Sequence, residues 1–110
     1  MSIRQAIIDE IELLSSPSKQ LEYEKNVPIA NVPAELICGF CDDLYVPESE
    51  QILSEFSPEE LNGLAHLYRL LVDASKIDIG SVSELLKLSE WRRVVSLAKD
   101  LNSHYAKINA

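Results

Sequence analysis

The sequence predicts an all-α fold, an irregular bundle of four to five helices in a single domain spanning residues 1–110. Three observations carry this expectation. Apolar residues recur three and four apart over several stretches. Serines stand at the starts of those stretches, where a side-chain oxygen satisfies unpaired helix amides. Period-two alternation, the mark of a half-buried strand, is scarce. The chain has the length of one domain, and 46% hydrophobic content is enough apolar material for a core.

Ser2 with Gln5 forms a capping-box pattern, and Ile3, Ile7, Ile11 and Leu14 follow at helical spacing, so the first helix is expected from about Ser2 to Leu14. Ser15-Ser16-Pro17-Ser18 is expected to end it, and the stretch to Val32 reads as loop. Within it Leu21 and Tyr23 alternate with charged neighbours, and Pro28 and Pro33 hold their preceding residues out of the helical region. A second helix is expected from Pro33, with Glu35 in its first turn and Leu36, Ile37, Phe40 and Leu44 on one stripe, ending near Tyr45 ahead of Pro47. Glu48 to Phe56 reads as a turn of helix presenting Ile52, Leu53 and Phe56.

Ser57-Pro58-Glu59-Glu60 is the strongest local signal: an N-cap serine, a proline at the first helical position and a glutamate at the third. Leu61, Leu64, Ala65, Tyr68, Leu71 and Val72 then share a face, widened by Leu67 and Leu70, which marks this helix as the central one with neighbours on two sides. Ser81 with Glu84 forms another capping box before a short helix bearing Val82, Leu85, Leu86 and Leu88. Ser89 is read as the cap of a last helix on which Trp91, Val94, Val95, Ala98, Leu101, Tyr105 and Ile108 recur, with Trp91 as a core anchor.

Charge is distributed unevenly. No lysine or arginine falls between Lys25 and Arg69, whereas Glu35, Asp42, Asp43, Glu48, Glu50, Glu55, Glu59 and Glu60 all do. Those eight acids equal the whole formal charge of -8. Such a segment sets up a directional negative field that attracts cationic partners and repels phosphate backbones, so nucleic acid is not an expected ligand. Phe40, Tyr45, Ile52, Leu53 and Phe56 are interleaved with the acids, and aromatic anchors ringed by charge are the makeup of a tight protein interface.

Catalytic and metal signatures are weak by comparison. Cys38-Gly39-Phe40-Cys41 has the spacing of a thiol pair or half a zinc site, but His66 and His104 lack the paired spacing that would complete one. A low-pKa thiol needs a helix N-terminus, and the residues before Cys38 read as helix, so both cysteines are read as small buried thiols. No calcium loop, phosphate loop or nucleophile–base pair is present, and the chain is read as a non-enzyme without cofactor or metal. The two histidines read as partly exposed helical residues. No apolar run matches a secretory signal or a membrane span, and the sparse cysteines fit a reducing compartment, so a cytoplasmic protein is expected.

The string from Pro33-Ala34-Glu35-Leu36-Ile37-Cys38-Gly39-Phe40-Cys41-Asp42-Asp43-Leu44-Tyr45-Val46-Pro47 to Phe56-Ser57-Pro58-Glu59-Glu60-Leu61 resembles a pattern in small bacterial immunity proteins, including partners of contact-dependent growth inhibition toxins. Asp43-Leu44-Tyr45-Val46-Pro47 is also similar to the toxin-contacting short helix of the small acidic four-helix immunity proteins of nuclease bacteriocins, although only one tyrosine occurs here. The resemblance implies binding and neutralisation of a cognate toxin with a basic surface, of nuclease type. The expected interface has Tyr45 as its anchor and Asp42, Asp43, Glu48, Glu50, Glu55 and Glu59 as charge partners. Competing readings are a helical interaction or assembly module without a toxin, and a thiol oxidoreductase acting through Cys38 and Cys41. The oligomeric state stays open.

Overall fold

Polar residues at the helix starts punctuate this chain and decide where each element begins. The computed structural model describes residues 2–27, 31–42, 44–46 and 48–109, with backbone only for 108 and 109. Pro28, Asp43, Pro47 and the Ile108 side chain, all named above, lie outside the described residues. The fold is all-α: α1 (Ile3–Leu14), α2 (Pro17–Asn26), α3 (Val32–Cys41), α4 (Glu50–Glu55), α5 (Pro58–Ser75), α6 (Val82–Leu85) and α7 (Ser89–Asn109). No strand occurs among the described residues.

Ser2, Ser16, Asn31, Ser49, Ser57 and Ser81 are the N-caps of α1 to α6, each side chain accepting a backbone amide three residues on. At α5 the box closes fully, because Glu60 Oε1 also accepts the Ser57 amide at 2.9 Å. At α1 it does not, since the Gln5 side chain instead donates to Asp9 at 2.9 Å. Ser89 lies inside α7 rather than before it, and its hydroxyl donates to Glu90.

Among the described residues seven helices stand where four to five were expected, and α2 accounts for the largest difference. Ser16 and Pro17 do not merely end α1; they cap and open α2, where the loop was expected. Gln20 explains why this helix lacked an apolar stripe. It is fully buried; its Nε2 donates to the carbonyls of Leu13 and Leu14 at 3.0 Å each, and its Oε1 accepts the Trp91 indole N–H at 3.0 Å. One amide thus satisfies two carbonyls at the end of α1 and the one polar atom of a core tryptophan.

The helix expected to run to Tyr45 stops at Cys41, with Asp42 as its C-cap. Beyond it the chain folds back in a wide turn, the Tyr45 amide donating to the Phe40 carbonyl at 2.8 Å. That turn lays the Tyr45 ring on Phe40, with centroids 5.3 Å apart.

Packing centres on α1, which meets α2, α3, α4 and α7, while α5 meets α3 and α7 as its two-sided stripe requires. The core includes Ile7, Ile11, Leu14, Leu36, Phe40, Leu64, Leu67, Leu71, Trp91 and Tyr105. At Gly63 a Cβ would stand 2.7 Å from Leu101 Cδ2, so the glycine permits the close approach of α5 and α7. The chain ends of α1 and α7 are opposed: Arg4 lies over Tyr105 at 5.4 Å from its centroid, whereas Gln20, tied to the far end of α1, holds Trp91. The Val82 amide opening α6 donates to Glu24 Oε2 of α2 at 2.7 Å.

Candidate functional site

The acidic segment runs from the last turn of α3 through α4 into the first turn of α5, and local capping decides where its charges point. Asp42 is exposed at the C-cap of α3. Negative charge there faces the negative pole of the helix, and no base in the last turn relieves it. Glu50 opens α4 and Glu59 sits in the first turn of α5, both exposed and both at the favourable pole. Glu48 is exposed in the turn closed by the Ser49 amide on the Val46 carbonyl at 3.1 Å. None of these four acids forms an ion pair among the described residues. Asp43, the remaining expected charge partner of this stretch, lies outside the described residues.

Two of the eight acids are compensated within the fold. The Arg4 guanidinium reaches across from α1 and donates to both oxygens of Glu60, at 3.0 and 2.9 Å, and the residue is only 7% exposed. His104 Nε2 adds a contact at 3.3 Å. Arg4's paired bonds, helped by the Ser57 amide and by His104 and opposed by burial, pull the Glu60 pKa down to about 2. Glu55 is half-buried on the same arginine: its carbonyl accepts from Arg4 Nη1 at 2.8 Å and its carboxylate from the Arg4 amide at 3.4 Å. Glu55 is therefore tied to α1, in contrast to the solvent-facing charge partner expected of it. Outside this stretch, Glu35 is exposed and accepts the Tyr23 hydroxyl at 2.9 Å.

Tyr45, expected as the anchor of the interface, is 5% exposed. Its ring is held between Phe40 and Tyr68, with the Tyr68 centroid at 5.5 Å, and burial raises its pKa. The apolar surface is supplied instead by Val46 and Leu53, 54% and 53% exposed. Helix phase gives the reason: Ile52 and Phe56, four apart, turn inward, so Leu53 stands outside on the same face of α4 as Glu50. Two exposed aliphatic side chains and four exposed carboxylates thus fall within residues 42–59.

The two cysteines sit in different settings. Burial, with Asp42 adding repulsion, pushes the Cys41 pKa up to about 11, opposite to the shift a reactive thiolate needs. Cys38 is exposed, unlike the buried thiol expected of it. His66 and His104 are both exposed, and Trp91 is fully buried. Among the described residues no group of three or more His, Cys, Asp or Glu is placed to hold a metal ion, and no helix is long and apolar enough to cross a membrane.

Comparison with known proteins adds no relative: no family model, curated protein or solved structure matches the chain.

Proposed function

We propose that this protein is an immunity protein that binds and neutralises a bacterial toxin domain with a basic, nuclease-type surface. The observation that carries the reading is that Asp42, Glu48, Glu50 and Glu59 are exposed and form no ion pair among the described residues, in the same stretch of chain that exposes Val46 and Leu53. A nuclease holds phosphates with lysines and arginines, and a rigid domain carrying carboxylates at fixed positions competes for the same charges. Attraction between the fields raises the encounter rate, and desolvation of Leu53 and Val46 slows escape. The resemblance of the 33–61 string to small immunity proteins supplies the class of partner. Asp42 supports the reading independently, because a charge at the unfavourable helix pole is easier to understand where a partner supplies the counter-charge.

The reading expects a toxin-domain gene next to this one, and the test is the association rate with that domain, measured by stopped flow over a range of ionic strength. The expected result is a fast rate that falls with salt, and a slowing of tenfold or more when the four acids become amides. An unchanged rate in that variant would sink the assigned surface, and the absence of any complex would sink the function.

A further inference from the structure

At the other end of α1 the charge pattern reverses. A groove of about 470 Å³ lies between the start of α2, the end of α6 and α7. Leu86, Trp91 and Val95 form its floor, and Arg92 and Lys99 stand on its rim. No carboxylate lines it, although the chain has 18 acids and a net charge of -8. Arg92 and Lys99 are exposed and make no ion pair among the described residues. Seven residues separate them on one helix, so the two cations are about 10 Å apart along the groove, with Val95 between them.

A basic rim over an apolar floor fits an acidic segment with exposed aliphatic side chains. This chain carries such a segment. Val46 and Leu53 are bare, Glu48 and Glu50 are unpaired beside them, and both halves of the match are open to solvent. Val46, Glu48, Glu50 and Leu53 do not line the groove of their own molecule. Residues 48–53 are held near the Arg4 end of α1 through buried Ile52 and the Arg4–Glu55 bond, whereas the groove starts at Pro17, beyond the opposite end. Arg4 and Leu14 alone are about 15 Å apart along the helix.

We infer that the groove on α7 is a docking site for Val46 and residues 48–53 of a second copy of this chain, giving head-to-tail self-association. Leu53 and Val46 cover the groove floor while Glu48 and Glu50 meet Arg92 and Lys99. The contact joins two different surfaces, so each added copy presents a fresh groove and a fresh acidic segment. Mutual repulsion of two acidic molecules opposes it, and salt near the physiological level, with a Debye length of about 8 Å, screens that repulsion while sparing pairs in contact. The inference uses the acidic segment assigned above to toxin binding but does not depend on the toxin.

Sedimentation velocity on the full chain at physiological salt, from micromolar to millimolar concentration, tests it. The average mass is expected to rise above 12.3 kDa with concentration. The R92E/K99E variant and the E48K/E50K variant, both altered only at exposed positions and checked for helicity, are each expected to stay monomeric. Mixed in equal amounts they regain association, because each reversed surface then finds a complement. A wild-type chain monomeric at millimolar concentration overturns the inference, as do variants that associate like wild type or a mixture that does not associate. Toxin binding separates the two proposals: R92E/K99E leaves it intact, and E48K/E50K weakens it.

Discussion

The Arg4 guanidinium meets both carboxylate oxygens of Glu60, at 3.0 and 2.9 Å, and so locks the first turn of α1 to the capping box of α5. It also stands over the rings of Phe56 and Tyr105, at 5.0 and 5.4 Å. Removing the cation leaves a carboxylate buried without its main partner. Arg4→Met is therefore expected to cost about 3 kcal/mol or more, read as a lower urea midpoint. Adding Glu60→Gln to it should recover much of the loss, and a double variant no better than the single one would contradict this account.

Acid sensitivity follows from the same pair. Glu60 has its pKa lowered from 4.5 to about 2, so the folded state binds its proton less readily than the unfolded chain. Its contribution is complete above pH 4.5 and is lost as pH falls toward 2, an effect on the order of 3 kcal/mol. Urea midpoints measured from pH 6 to pH 2 should fall steeply in wild type and less steeply in Glu60→Gln.

The Gln20 side-chain amide serves three groups at once. In Gln20→Leu the Leu14 carbonyl and the Trp91 indole N–H lose their partner, and the Leu13 carbonyl keeps only the Ser16 amide at 3.2 Å, at a cost of about 2–3 kcal/mol. Trp91 is the chain's single tryptophan, so its emission reports the change directly. An unaltered spectrum and midpoint would show that these bonds carry little weight.

Asp42 is expected to trade stability for binding. Asp42→Asn removes negative charge from the C-terminal pole of α3 and should stabilise the fold by about 0.3–1 kcal/mol. The same variant should bind a basic partner more slowly, so thermal melting and stopped flow move in opposite directions.

How much of this was legible in the sequence is clearest where the same two residue types occur twice. Ser57-Pro58 and Ser16-Pro17 both cap and open a helix, but only the first precedes an apolar stripe, and only the first was readable as a start. The buried residue of α2 is Gln20, a polar side chain that periodicity counts as surface. Leu44 and Tyr45 continue the apolar spacing of α3 and so imitate a longer helix, although their burial comes from a turn rather than another helical turn. For the site, charge placement was visible and charge pairing was not. Arg4 stands 56 residues from Glu60, and no local pattern links them. Val46 and Leu53 were hidden among other apolar residues until the phase of α4 separated Leu53 from Ile52.

The bond from the Val82 amide to Glu24 gives α6 a lifetime that is not its own. A four-residue helix has too few internal bonds to persist alone, and its first amide is held by a carboxylate 58 positions upstream. Hydrogen exchange at Val82 thus acts as a clock for the release of α2, so a slow opening near the start of the chain can be timed from a single proton near its end.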